Sequence, residues 1–335
     1  MNTANFILRE WQISDVISLA ENADNINIWN NVRDSFPYPY SAKDAEEFIT
    51  TASAKSKPAT DLAVVVDGKA VGSIGIVPQP DVERFNAEIG YFIGEKYWNR
   101  GIISNAVKEM IAYAFANFPL QKLYASVFDF NLASQKVLHK AGFEREAILK
   151  LGAVKNGRFI DLHYYSLLKS QWRKSVKIRL LHDDELLVLE DLLYEAIFLP
   201  ERAEPPSRDI IKVPEINNYI RDFGKKKEDQ CLVAELNGKI IGGVWVRILA
   251  DEIKGYGHVD AETPEFAISI FKEYRKLGIG SMLMKEMIKL LKDKGYAKTS
   301  LSVQKKNYAA KMYQKLGFEI IRENEEDYIM VLKLK

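Results

Sequence analysis

The sequence predicts a mixed α/β protein built from two tandem copies of one domain. Three observations carry that prediction. At 335 residues the chain exceeds one ordinary domain and matches two. With 47% hydrophobic and 28% charged residues, each half has the apolar side chains for its own core. The same series of features also occurs twice in the same order. The copies are read as 1–175 and 176–335, meeting at Ser175 and Val176 with no long Gly/Ser or Pro linker between them.

Each copy opens with a helical stretch, Ile13 to Asn22 and Asp183 to Ala196, followed by a proline-containing loop. A hairpin comes next. Leu62 to Val66 turns at Asp67-Gly68 into Ala70 to Val77, and Cys231 to Leu236 turns at Asn237-Gly238 into Lys239 to Leu249. Asp-Gly and Asn-Gly accept the positive φ angles of a two-residue type I′ turn. A further strand, Ala87 to Ile93 or Phe266 to Ile270, then runs into a loop whose glycine, Gly101 or Gly278, opens a helix. Apolar residues at helical spacing mark that helix: Ile103, Val107, Ile111 and Ala114, then Met282, Met287, Leu290 and Leu291. A strand (Lys122 to Phe128, Thr299 to Val303), an asparagine, a short helix and Gly-Phe complete each copy, with Asp161 to Leu168 closing the first. Hairpin, strand, helix, strand, helix is a mixed α/β order.

Composition excludes several functions. Lys plus Arg number 47 against 46 Asp plus Glu, balanced in both halves, so no direct nucleic-acid partner is expected. Cys231 is the single cysteine, and the four histidines show no ligand spacing; neither a disulfide nor a metal is expected. Cys231 reads as a core residue rather than a nucleophile. Without a long apolar run or a basic-then-apolar opening, the expectation is a cytoplasmic protein with no membrane partner.

The glycine loops carry the chemistry. A strand ending in a glycine turn at a helix N-terminus aims unpaired N–H groups and the positive end of the helix dipole at one point, an arrangement suited to pyrophosphate. The loops are Trp98, Asn99, Arg100, Gly101, Ile102, Ile103, Ser104 and Arg275, Lys276, Leu277, Gly278, Ile279, Gly280, Ser281. Neither is a Walker loop or a GxGxxG site. Taken singly, each is also compatible with an ordinary tight turn.

Arg275 to Gly280 matches the [Q/R]xxGx[G/A] motif of GNAT acyltransferases, and Asn307, Ala310, Tyr313, Gly317 and Phe318 match that superfamily's next motif. The first half resembles the Rim branch, the ribosomal-protein N-terminal acetyltransferases and their relatives. Its matching residues are Tyr97 to Gly101, Asn131, Ser134, Val137-Leu138, Gly142-Phe143 and Asp161 to Trp172. The resemblance covers nearly the whole chain. It implies a mostly antiparallel mixed sheet, flanked by helices, whose central strands splay to admit the pantetheine arm of acetyl-CoA. Tyr91 to Ile93 and Ile268 to Ile270 are then expected to offer backbone groups to that arm. The two loops, with Asn131 and Asn307, are expected to complete the cofactor contacts. Two departures stand out: Trp98 and Ile103 take the places of Arg275 and Gly280.

Direct attack of an amine on the thioester, as the resemblance implies, needs a base and a donor for the leaving thiolate. Tyr313 is the candidate donor of the second half, a phenol of reference pKa about 10 beside a thiol of about 8.5. Leu138 stands in its place in the first half, where Ser134 is the candidate instead. Glu88 and Glu265, each thirteen residues before the loop glycine, are candidate bases, provided burial raises them from about 4.3. Bland alternatives remain for each: a packed tyrosine, a serine bonded to a nearby carbonyl, surface ion-paired glutamates, asparagines that merely cap helices. Acceptor selection is expected from Phe36 to Tyr40, and from Phe198-Leu199-Pro200 with Pro205 to Asp209, where Arg208 can hold a carboxylate.

The expectation is an acetyl-CoA-dependent N-acetyltransferase acting on a primary amine, a protein N-terminus or a small molecule. The alternative is a non-catalytic acyl-CoA-binding or scaffold protein.

Overall fold

A computed structural model describes residues 5–54, 57–199 and 204–335; residues 1–4 of the opening segment and Pro200 of the second acceptor loop lie outside them. Two units divide the chain, 1–172 and 173–335.

In the first unit, β1 (Ile7–Arg9) precedes α1 (Val16–Ala23), α2 (Ile26–Trp29) and α3 (Ala42–Ala54). The hairpin β2 (Asp61–Val66) and β3 (Lys69–Pro78) follows, then β4 (Asn86–Ile93), α4 (Ile102–Asn117), β5 (Lys122–Phe128), α5 (Leu132–Lys140), β6 (Glu144–Lys155) and β7 (Arg158–Leu168). The helix α6 (Lys169–Lys174) follows and carries the chain across the 172/173 boundary. Seven strands form one sheet in the order β1-β2-β3-β4-β5-β7-β6.

The second unit repeats this plan. It runs β8 (Lys177–Leu180), α7 (Val188–Ala196), α8 (Pro214–Asn217), β9 (Gln230–Leu236), β10 (Lys239–Arg247) and β11 (Glu265–Ile270). Then come α9 (Ile279–Asp293), β12 (Lys298–Gln304), α10 (Ala309–Lys315), β13 (Glu319–Glu323) and β14 (Asp327–Lys333). Its sheet order, β8-β9-β10-β11-β12-β14-β13, is that of the first unit strand for strand. Asp67 and Asn237 turn the two hairpins at φ 48° and 54°, as their turn chemistry requires.

Both faces of each sheet are covered. Trp11, Leu19, Ile49 and Val65 build the core beneath α1 and α3, and Leu189, Leu192, Val233 and Trp245 its counterpart beneath α7. On the other face α4 buries Val107, Met110, Ile111 and Phe115, and α9 buries Leu283, Met284, Met287 and Leu291.

Every strand pair is antiparallel except one in each sheet. β4 and β5 run parallel and pair only at Asn86↔Lys122, Ala87↔Leu123 and Glu88↔Tyr124, although β4 continues to Ile93 and β5 to Phe128. The parallel pair β11 and β12 meets at Glu265↔Ser300 alone. Beyond Glu88 and beyond Glu265 the central strands separate. One edge of β4 and of β11 is therefore left without a ladder partner, although the opposite edges pair with β3 and β10 throughout. Such edges keep backbone N–H and C=O groups available for a guest.

Candidate active site

The loops after β4 and β11 have one conformation. Asn99 and Gly101 take φ 60° and 76°; Lys276 and Gly278 take 62° and 82°. Glycine holds the second of these left-handed positions in both units, where a side chain would be strained. Helical hydrogen bonding then begins at Asn105 N–H to Gly101 O and Met282 N–H to Gly278 O. The amides of Ile102, Ile103 and Ser104, and of Ile279, Gly280 and Ser281, thus have no acceptor within their helices and stand at the positive end of the dipole.

Both loops are tied back to the preceding strand. Trp98 Nε1–H donates to Ile93 O at 2.8 Å, and Arg275 Nε–H donates to Ile270 O at 2.8 Å. Arg275 also reaches Glu195 Oε2 at 2.7 Å, so its charge is paired rather than presented to the loop. Arg173 donates to Leu277 O at 2.8 Å. Arg100 lies over the Tyr97 ring.

At the apex of each opening stands the candidate base, in two different settings. Glu265 is 2% exposed. The Tyr219 hydroxyl donates to its Oε1, which also accepts Gly257 N–H at 2.7 Å; its Oε2 is buried with no hydrogen-bond partner. Burial pushes this carboxyl up to about 7 against the opposing pull of those two hydrogen bonds. The connection 248–264 is longer than its counterpart 79–85 and lies over Glu265. Its Gly255 sits so close that a Cβ there would fall 2.1 Å from Glu265 Oε2, and a Cβ on Gly257 would fall within 3 Å of the Leu301 backbone. Glu88 instead accepts from Arg33 Nη2 at 2.5 and 2.7 Å. Its side chain is 16% exposed and that of Arg33 69%.

The candidate thiolate donors differ as well. Tyr313 on α10 is buried, its ring 5.9 Å from Phe318, and burial raises its phenol well above the usual value. Its phenol therefore stays protonated, able to donate a hydrogen bond. Leu138 does occupy the matching place: Phe143 N–H bonds Leu138 O at 3.1 Å as Phe318 N–H bonds Tyr313 O at 3.0 Å. Ser134 Oγ lies 2.9 Å from the hydroxyl of Tyr91 on β4. Asn131 caps α5 by accepting Ser134 N–H at 3.0 Å, and Asn307 accepts Ala309 N–H at 2.9 Å.

Near the α9 N-terminus a cavity of about 440 Å³ is lined by Ser281, Lys285, Tyr308, Lys311, Met312, Lys315 and Leu316. Gly280 lies beside it, and a Cβ added there would meet Ile268, Ile270 and Met312 at 3.8–3.9 Å.

Residues 5–144 match the family model described as an acetyltransferase (GNAT) domain, and residues 193–318 match that of the acetyltransferase (GNAT) family. Together these matches take in well over half of the chain. The chain belongs to the GNAT acetyltransferase family. It carries two GNAT domains in tandem, as the motifs implied. The putative ribosomal N-acetyltransferase YdaF of Bacillus subtilis is 35% identical over 112 residues, 33% of this chain and 61% of that protein. The L-amino acid N-acetyltransferase AaaT of Escherichia coli is 31% identical over 109 residues, 32% of this chain and 67% of that protein. The chain spans between about half and three fifths of the length of the first curated relatives it matches. Among solved structures, Mycobacterium smegmatis RimJ in complex with CoA-disulfide matches 50% of this chain and 84% of its own, at 19% identity and a TM-score of 0.46.

Each GNAT unit thus brings its own loop, strand edge and candidate glutamate to an opening of its own. Arg208 is paired with Asp191 over the Tyr194 ring. Cys231 is buried, and burial pushes its thiol up to about 12. Among the described residues no cluster of His, Cys, Asp and Glu can hold a metal ion, and no helix is long and apolar enough to cross a membrane. Sequence reasoning missed Tyr219, Arg33, Glu195 and the Tyr91 hydroxyl. Each meets its site residue only in the folded chain, so local spacing carried no signal of them.

Proposed function

We propose that each unit is an acetyl-CoA-dependent N-acetyltransferase domain that passes the acetyl group directly to a primary amine. The observation that carries this reading is the convergence, in both units, of three features. A helix N-terminus lies beside a parted strand pair, and a glutamate stands where the strands part. The residues fit the co-substrate. Free amides at Ile102 to Ser104 and Ile279 to Ser281 suit a pyrophosphate, with Lys285, Lys311 and Lys315 adding charge beside the second helix. The ladder-free edges of Tyr91 to Ile93 and Ile268 to Ile270 match the amides of a pantetheine arm. Gly280 leaves room against Ile268, Ile270 and Met312 that a larger residue would fill.

In the second unit Glu265 takes the amine proton directly or through water, and Tyr313 donates a hydrogen bond to the departing sulfur. A carboxyl near 7 is a far better base than an exposed one. In the first unit Glu88 is held by Arg33, which suits an acceptor that sheds its proton readily, such as an α-amine of reference pKa about 8. Protein N-termini and free amino acids are both of that kind, and two relatives are named a putative ribosomal N-acetyltransferase and an L-amino acid N-acetyltransferase.

The Arg33–Glu88 pair also favours a second reading for the first unit, binding without turnover. Release of CoA thiol from acetyl-CoA by the full chain, on adding peptides with a free N-terminal amine, tests the main reading. Acetylated peptide with one CoA per acetyl group is expected. CoA release without acetylated peptide would overturn direct transfer.

A further inference from the structure

The two units place a phenol on opposite walls of their respective openings, Tyr313 buried and Tyr91 half-buried. In the second, Tyr313 sits on the helix and Ile268, three residues after Glu265, on the strand. In the first, Leu138 sits on the helix and Tyr91, three residues after Glu88, on the strand. Residue for residue, the phenol has changed sides.

Tyr91 reaches across to the helix. Its hydroxyl lies 2.9 Å from Ser134 Oγ and 3.3 Å from Ser134 O. The shorter contact joins a phenol to an alcohol and either oxygen can donate in it; the phenol, the stronger acid, is the better donor of the two. Burial raises the Tyr91 phenol well above its usual value, so it stays neutral and able to donate. Ser134 is fixed from its other side, because its own N–H is taken by the Asn131 cap. A hydroxyl that accepts from a phenol is polarised and becomes the stronger donor through its remaining hydrogen. With the phenol as donor, Ser134 Oγ–H is left to donate to a guest in the opening.

We propose that Tyr91 is a positioning residue that orients and polarises Ser134 toward the CoA sulfur, so that the first unit assembles from strand and helix the donor that Tyr313 supplies alone in the second. This rests on the acetyl-CoA reading above. In the transfer, the amine nitrogen forms the new bond to the acetyl carbon and the carbon–sulfur bond breaks with its electron pair going to sulfur. The amine proton passes to solvent or carboxylate. The thiolate is held by the Ser134 hydroxyl, which keeps its own proton, until water protonates the sulfur on release.

The test uses the full chain at pH 9, where most free CoA thiol, of reference pKa about 8.5, is ionised. Calorimetric affinities for CoA and acetyl-CoA are compared in the unsubstituted chain, Tyr91→Phe, Ser134→Ala and the double variant. Tyr91→Phe keeps the ring, and a thermal melt confirms that it folds. In one of the two binding events, Tyr91→Phe is expected to lower the CoA to acetyl-CoA affinity ratio about tenfold with acetyl-CoA affinity unchanged, about 1.4 kcal/mol. The double variant is expected to match Ser134→Ala, because Tyr91 acts through the serine. Equal loss for both ligands would mark Tyr91 as merely structural and overturn the proposal, as would additive effects in the double variant. If acetyl-CoA binds nowhere, the underlying reading fails and the inference with it.

Discussion

Trp98 and Arg275 hold equivalent carbonyls. An indole N–H and a guanidinium N–H each lie 2.8 Å from the last residue of the central strand, Ile93 in one unit and Ile270 in the other. Trp98 thus departs from the family motif in sequence while keeping its hydrogen bond in space. The bond anchors the loop just before its left-handed residue. Trp98→Phe removes the donor and keeps most of the packing. The expected cost is about 1 kcal/mol, read by denaturant unfolding, with weaker acetyl-CoA binding by the first unit. Arg275→Met also strips Glu195 of its partner, so its cost is expected to be larger, about 2 kcal/mol.

Tyr313→Phe separates chemistry from binding. The ring stays against Phe318 and only the hydroxyl is lost. Turnover by the second unit is expected to fall about 10- to 100-fold, with acetyl-CoA affinity within a factor of two. Paired kinetic and calorimetric measurements check this, and an unchanged kcat would remove Tyr313 from the mechanism.

Glu265 makes the second unit's activity depend on pH. Its carboxyl is raised to about 7, so the basic form appears as pH rises through that value, and kcat/KM is expected to climb across it. The stability consequence has the opposite sign. Between the ordinary carboxylate range and about 7 the folded state binds more protons than the unfolded, so stability falls with rising pH, at up to about 1.4 kcal/mol per pH unit for this one group. Glu265→Gln is expected to abolish the activity limb and flatten that slope, measured by pH-dependent kinetics and denaturant melts.

Gly280 is predicted to serve the ligand rather than the fold. A methyl group there meets its neighbours at ordinary contact distance, so Gly280→Ala is expected to leave the melting temperature unchanged or higher. The family motif accepts Ala here, so acetyl-CoA affinity is expected to stay within a factor of two in Gly280→Ala and to drop about tenfold in Gly280→Phe, whose ring fills the space between Ile268, Ile270 and Met312. Full affinity in Gly280→Phe would show that the co-substrate does not use this wall.

The features legible in the sequence were local ones. Turn residues announced both hairpins, a glycine announced each helix start, and a common spacing put Glu88 and Glu265 at matching places. The illegible features depend on which segments the fold brings together. Tyr219 lies 46 residues before Glu265, and Glu195 lies 80 before Arg275. Arg33 meets Glu88 across 55 residues, and Tyr91 meets Ser134 across 43. Two glutamates identical in motif position therefore acquired unlike surroundings, one sealed under Gly255 and Gly257, the other ion-paired near solvent. The left-handed turn at Lys276 was equally silent, since lysine has no preference for that region, whereas the asparagine at its counterpart, Asn99, is of a type enriched there.

The central claim is that both openings receive acetyl-CoA, and calorimetric titration of acetyl-CoA into the full chain tests it most directly. Two molecules bound per chain is the predicted result, with one event weakened by Gly280→Phe and the other by Trp98→Phe. Fewer than two bound per folded chain would contradict it.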